Sequence, residues 1–332
     1  MTVPTLSAPL QAAPPGPRFT PRATTVLYAV LLALALLMPL QNAIYLVFLM
    51  KILCFALFAC AFNLLLGYAG LLSFGHAAFF GSAAYATAHV CKALGYGPAT
   101  GILIGVAVST AIGFVIGCIA IRRQGIYFAM VTLALAQLLY FVAIQMPLTG
   151  GEDGIQNVPR GVLFGLVDLS NDTAMYYVVL AVFVGGFALV NRTIHSPFGA
   201  VLQAIRENEP RAVSLGYDVN RFKLLVFVLS AALSGLAGST KAVVFQLASL
   251  ADVHWHGSGE VVLMTLLGGV GTVLGPVVGA TVVVVLQTLL ASAGSWATVV
   301  VGLVFMTCVL LFRRGLVGEL APLVRRKARP RR

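Results

Sequence analysis

Residues 195–223 read HSPFGAVLQAIRENEPRAVSLGYDVNRFK. The stretch is polar and helical in pattern, yet long oily sequence flanks it on both sides. It carries Arg206, Glu207, Glu209, Arg211, Asp218, Arg221 and Lys223, in a chain of 332 residues with only 21 basic and 10 acidic side chains. Hydrophobic residues make up 60% of the whole and charged residues 9%, where a soluble domain averages about 25% charged. No soluble core absorbs that much apolar surface. The solvent of most of this chain is therefore lipid, and the charged stretch is an island standing outside it. A chain in lipid must satisfy its own backbone hydrogen bonds. The alternating pattern of barrel strands is absent, so the fold class is all-α, a polytopic transmembrane helix bundle.

Outward from the island, apolar segments run over 24–40, 43–66, 70–90, 98–121, 126–146, 174–191, 224–248, 258–270, 273–292 and 296–312. A membrane helix needs roughly 20 apolar residues. The segments 70–90 and 258–270 are short, glycine-rich or interrupted, and either could be a half-helix, which gives about 8–10 spans. With Arg18 and Arg22 inside and ten crossings, the loop of Arg122 and Arg123, the island and the tail after Phe312 all fall inside. Seventeen basic residues then lie inside, against Lys92 and Arg160 in outside loops. That bias is the positive-inside rule. The expected layout is a disordered cytoplasmic tail over 1–23, a transmembrane domain over 24–313 with its loop at 195–223, and a basic cytoplasmic tail over 314–332.

Within the island, Ser196 suits an N-cap and Pro197 the first helical position. Phe198, Val201, Leu202 and Ile205 then fall on one apolar stripe. Pro210 forces a break or a fresh helix start. Gly216 is a helix stop and Asp218 a cap for the next helix. Three arrangements fit this helix–break–helix: a helix flat on the membrane, a loop helix covering the ends of the spans, or a contact helix for a cytosolic partner. Four bases against three acids weaken the first, because lipid-surface helices are more uniformly basic.

The net charge of +11 does not indicate nucleic acid, since eight basic residues crowd into positions 313–332, where a basic tail sets orientation and touches anionic lipid. Cys54, Cys60, Cys91, Cys118 and Cys308 form no CxxC pair, so neither a disulfide framework nor a zinc site is indicated. His254 and His256 stand without a nearby acid or cysteine cluster and make a poor metal site. No arrangement of nucleophile and base suggests a catalytic site. GxxxxGK[ST] is absent, so nothing here cradles ATP phosphates. Asn63, Ser73 and His76 flank the glycine-rich GYAGLLSFGH and are candidates for a polar path through the bilayer, or for plain hydrogen bonds between helices. Glu260 is the best candidate for a buried acid. The GxxxG pairs Gly101/Gly105, Gly113/Gly117 and Gly275/Gly279 read as close helix packing. The acidic loop 147–173 is a solvated connector or a docking surface.

SPFGAVLQAIRENEPRAVSLGYDVNRFKLLVFVLSAALSGLAG, residues 196–238, resembles the signature of ATP-binding-cassette importer permeases of the branched-chain amino acid family. NLLLGYAGLLSFGHAAFFGSAAYATA at 63–88, TGGEDGIQNVP at 149–159 and GGVGTVLGPVVGA at 268–280 resemble further motifs of that family, the stretch at 149–159 being a mark of the longer of its two permease types. The general glutamate–alanine–glycine loop motif of such permeases appears loosely, as Glu209, Ala212 and Gly216.

The resemblance implies that the island is a coupling helix seated in a cleft of a separate ATPase. Phe198, Val201, Leu202 and Ile205 would then bury apolar surface against that subunit, with Arg206, Glu207, Glu209 and Gly216 completing the interface. It further implies two cytoplasmic ATP-binding subunits that hold the ATP, a second related permease subunit, an extracytoplasmic solute-binding protein, and a place in a bacterial inner membrane. Branched-chain or other neutral amino acids are the expected cargo, with urea or short amides as the alternative. An ion-coupled secondary transporter is disfavoured, because only Asp252 and Glu260 supply acids near a span.

Overall fold

The computed structural model describes residues 45–163, 167–291, 296–311 and 315–319, together with 33, 35, 36 and 39. The tail 1–23, most of the segment 24–40 and most of the tail 314–332 lie outside these residues. Helix α1 spans Leu46–Asn63 and passes directly into a π-helical turn, Leu64–Ala69. Gly70 then reverses the chain at φ +71. Residues 70–75 are irregular, and α2 begins only at His76 and runs to Lys92. Next come α3 (Pro98–Ala120), α4 (Ile126–Gln145) and α5 (Asp172–Ile194). The island folds as α6 (Pro197–Glu207) and α7 (Glu209–Ser214), succeeded by the long α8 (Val219–Phe245). The chain closes with α9 (Trp255–Gly268), α10 (Gly275–Leu289) and α11 (Trp296–Leu311). The strands among the described residues are two-residue pieces: β1 (Ile155–Gln156) pairs with β4 (Leu247–Ala248), and β2 (Val162–Leu163) with β3 (Val167–Asp168).

Among the described residues, five helical stretches are long and apolar enough to cross a membrane: α1 with its π-turn, α3, α4, α5 and α8. The apolar shells of α3 and α4 stay largely exposed, as lipid-facing helices should, whereas α8 is mostly buried and forms the axis of the bundle. Helices α2 and α3 flank α8. The glycines of α3 make that possible: Gly101 and Gly105 face Thr87 of α2, and Gly113 and Gly117 face Ala231 and Phe227 of α8. Small residues let helices approach where lipid supplies no hydrophobic force between them.

Contacts sort the loops into two ends. At one end Lys92 Nζ donates to the Gln156 carbonyl at 2.8 Å, and Ile155 pairs with Ala248. At the other, Arg206 donates to the Gly67 carbonyl, Gln124 Nε2 donates to Glu209 at 3.1 Å, and Gly315 lies against Gly269. The second end carries Arg122, Arg123, Arg192 and the island, and the positive-inside rule makes it the cytosolic one. The two doubtful segments resolve at the centre of the bundle. His76, first residue of α2, bonds Ser230 at 2.9 Å, three turns into α8 and so about 16 Å from its start. Ala77 N donates to Ser258 Oγ at 2.9 Å, at the start of α9. Helices α2 and α9 therefore begin at mid-depth and run to opposite faces. Residues 70–75 and 246–254 are the irregular stretches that bring the chain there, and they are tolerated because protein surrounds them.

Candidate functional site

The island's caps form as the residue types dictate. Ser196 Oγ accepts from Gly199 N at 3.3 Å, Asn208 Oδ1 from Arg211 N at 3.0 Å, and Asp218 Oδ1 from Arg221 N at 3.3 Å. Gly216 ends α7 at φ +86. Pro210 sits in the first turn of α7, so the break falls at Asn208.

The apolar stripe faces the opposite way from the expectation. Leu202 is 0% exposed and belongs to the core cluster that holds Leu64, Leu65, Tyr68, Ile194 and Val226. Ile205 is buried with Ala212 and Val219, and Val201 packs on them. Phe198 stacks on Phe222, ring centroids 5.6 Å apart. These four residues seat the island on its own spans and are not free for a partner, because the hydrophobic gain is taken by the nearest apolar surface, which is the chain's own. Arg206 is exposed but reaches back to the spans: it donates to the carbonyl of Gly67 and its stem lies over Gly70. Glu209 pairs with Lys223 at 2.8 Å while accepting from Gln124, which clamps α7 to α8 and to the 121–125 turn. Glu207 is exposed, with no partner among the described residues. The outward face is instead Val213, Leu215 and Tyr217, which are 57%, 68% and 41% exposed. Exposed apolar side chains on a lipid-facing span need no explanation, whereas these three stand on a charged loop.

A cavity of about 530 Å³ opens between the island and the ends of the spans, lined by Gly70, Gln124, Arg206, Glu209, Lys223 and Leu266 among others. A neighbouring one of about 470 Å³ is lined by Arg122, Gln124, Glu209, Val213, Tyr217 and Asp218. Gln124 and Glu209 line both. Sequence reasoning misses Lys223 and Gln124. Lys223 looks like one more base on a polar helix, and only the three-dimensional turn of α8 buries its side chain to 6% exposure. That burial fixes an asymmetry. Glu209→Leu leaves a buried ammonium unpaired and is expected to cost about 3 kcal/mol. Lys223→Met leaves a carboxylate that is 29% exposed and still holds Gln124, at a cost of about 1 kcal/mol. Thermal melting of the purified protein in detergent ranks the two, and equal losses would contradict the burial argument.

The three path candidates are held by three different sets of partners. Asn63 is 1% exposed; its Nδ2 donates to the Thr272 carbonyl at 2.9 Å and its Oδ1 accepts from Gly271 N at 3.0 Å. Tyr68 adds a bond to the Gly271 carbonyl at 3.0 Å. A Cβ on Gly67 would meet Gly271 N at 2.7 Å, so the close approach demands glycine there. Ser73 Oγ accepts from Gly75 N at 3.2 Å and shapes the turn before α2. His76 is fully buried, edge-on to Phe62, Phe79 and Phe227, with Nδ1 unpartnered among the described residues. Glu260 is partly buried and accepts from Gln287 Nε2 at 3.1 Å, with His256 3.8 Å away.

Three separated glycine-bearing stretches thus converge at the cytosolic end: 63–70, the island, and the 268–275 turn. The family described as "Branched-chain amino acid transport system / permease component" matches residues 44–312, a range containing all three. The chain belongs to that family. This permease is 28% identical over 290 residues to the high-affinity branched-chain amino acid transport system permease protein LivM of Salmonella typhimurium, covering 80% of the chain and 68% of that relative. It is 27% identical over 288 residues to LivM of Escherichia coli, with the same coverage. The ribose import permease RbsC of Bacillus subtilis is 29% identical over 184 residues, covering 51% of the chain and 52% of that relative. No solved structure matches. The permease is accordingly a multi-pass membrane protein and a transport component.

Proposed function

We propose that this permease is the membrane-embedded subunit of an ATP-driven importer for branched-chain or other neutral amino acids in a bacterial inner membrane. Its relatives' names supply the cargo class, and the mostly apolar, sparsely charged spans suit a neutral or zwitterionic solute. In this reading two cytoplasmic subunits bind and hydrolyse the ATP, a second related permease subunit completes the pore, and an extracytoplasmic binding protein delivers the solute to the outer end. The permease itself binds no cofactor and has no ATPase site. Closure of the ATPase pair moves the island, and the spans rock between outward and inward openings.

The observation that carries the coupling step is the exposed face of Val213, Leu215 and Tyr217 on the cytosolic loop. The island is held to the spans by Arg206, Glu209 and Leu202, so a push on that face reaches α1 and α8 without slack. Leu215→Asp, which touches no core cluster, is expected to leave the protein in the membrane at its normal level while ATPase co-purification and ATP-driven uptake each fall about tenfold or more. Full ATPase recovery with this variant would contradict docking at this face. Uptake driven by an ion gradient in vesicles that hold the permease alone would contradict the ATP-driven reading altogether.

A further inference from the structure

Near the outer end, Lys241 of α8 and Asp252 of the 246–254 segment form an ion pair of 2.6 Å, with side chains only 11% and 10% exposed. Charges held this far from water are costly, and they are the first place to look for a functional site. The pair is incompletely satisfied. Asp252 Oδ2 takes three donors, Lys241 Nζ, Ser249 N and Ser249 Oγ, while its Oδ1 accepts nothing among the described residues. The ammonium has one oxygen acceptor there, with the Phe245 ring 5.7 Å from Nζ. A third polar group belongs to the same turn. The Tyr85 hydroxyl is buried and has no partner among the described residues, and Tyr85 packs in one core cluster with Val253 and Leu250, which flank Asp252 in sequence. Tyr85 shares a face of α2 with Gly81, one turn earlier, where a Cβ would come within 2.7 Å of the Asp252 carbonyl carbon. Both residues of α2 thus look onto the turn that carries Asp252.

We propose that Lys241, Asp252 and Tyr85 form a binding point for the charged head of an α-amino acid zwitterion on its way in. The inference rests on the amino-acid reading above and adds the residues that meet the solute. Lys241 takes the carboxylate, Asp252 takes the ammonium, and the Tyr85 hydroxyl supplies a hydrogen bond to either. In the solute's absence the two side chains neutralise each other, so the closed site carries no net charge and admits neither a bare cation nor a bare anion cheaply. The pair also joins the end of α8 to the segment leading into α9, whose far end meets Asn63 and the island through the 268–275 turn. Solute entry at this point therefore loosens the one ionic tie between α8 and that segment among the described residues.

The test uses the complete transporter in proteoliposomes. Ala251 is exposed beside the pair, and Ala251→Cys offers a thiol to a membrane-impermeant maleimide added outside. Leucine at about ten times its half-saturating concentration is expected to slow labelling about tenfold, as mass action requires. Leucinamide, which lacks the carboxylate, and 4-methylpentanoate, which lacks the ammonium, are expected to leave the rate unchanged. Labelling indifferent to leucine, or slowed equally by either analogue, overturns the inference. A second variant separates structure from recognition. Replacing both charges, Lys241→Met with Asp252→Asn, removes the pair without stranding either partner and keeps a side-chain oxygen for Ser249, an exchange that is often neutral for stability. The assembled double variant is expected to lose about tenfold to a hundredfold of its leucine uptake, and wild-type uptake by it would overturn the inference. ATP-driven uptake by the parent complex is measured alongside. Its absence refutes the importer reading, whereas uptake without protection refutes the binding point alone.

Discussion

Leu202→Asp is expected to unseat the cytosolic loop. The side chain is 0% exposed and sits in the cluster that joins the island to the π-turn and to α8. Losing a buried leucine costs about 2–5 kcal/mol. An unpaired carboxylate in its place adds several more, or drives its own protonation. A total of about 5 kcal/mol rivals the whole stability of a typical domain. The expected result is a lower membrane level, a reduced melting temperature in detergent, and new protease cleavage within 195–218 in inside-out vesicles. Leu202→Met conserves volume and is expected to cost under about 1.5 kcal/mol. Leu202→Asp sheds the ATPase only because the loop is lost. In Leu215→Asp the ATPase is lost while melting is unchanged. Should Leu202→Asp melt as the parent does and shed only its partner, the stripe would face outward after all, and the packing described for α6 would be wrong.

That contrast separates local pattern from tertiary choice. The stripe Phe198–Val201–Leu202–Ile205 was legible, as were Ser196, Pro197, Pro210, Gly216 and Asp218, because caps and periodicity are local. Which surface the stripe would meet was not legible, since a partner's cleft and the chain's own spans are equally apolar to a helical wheel. Segment existence was legible for the same local reason, and each of the nine apolar runs from 43–66 onward contains a helix among the described residues. The starts of α2 and α9 were displaced, to His76 and Trp255, because mid-depth breaks are made by tertiary bonds such as Ala77 to Ser258. Asp252 was visible as an acid near a span, and Lys241 lies in the apolar run 224–248. Their pairing across eleven residues was not visible, because the turn at Gln246, with φ +54, folds the chain back on itself. Asn63 was legible as a polar residue in a span, but the cost of such a residue does not alone say whether the polar group serves a solute or the protein.

For Asn63 the geometry answers that question, and the answer predicts a second large effect. Its amide holds both backbone groups of the 271–272 turn, one as donor and one as acceptor. Asn63→Leu keeps the bulk and leaves a partly buried N–H and a partly buried carbonyl without their partner, each at about 1–2 kcal/mol. The melting temperature in detergent is expected to fall by about 5–10 °C. Asn63→Asp separates the two bonds: it keeps the acceptor toward Gly271 N, loses the donor toward the Thr272 carbonyl, and places a charge at a site 1% exposed. Its loss is therefore expected to equal or exceed that of Asn63→Leu despite the smaller change in shape. Both variants slacken the link between the end of α1 and the 268–275 turn, so uptake falls through a lower maximal rate with the apparent affinity for solute retained. A residue lining the solute's path behaves in the opposite way, shifting affinity while melting stays put. An Asn63→Leu protein that melts like the parent and binds its solute more weakly would return Asn63 to the path.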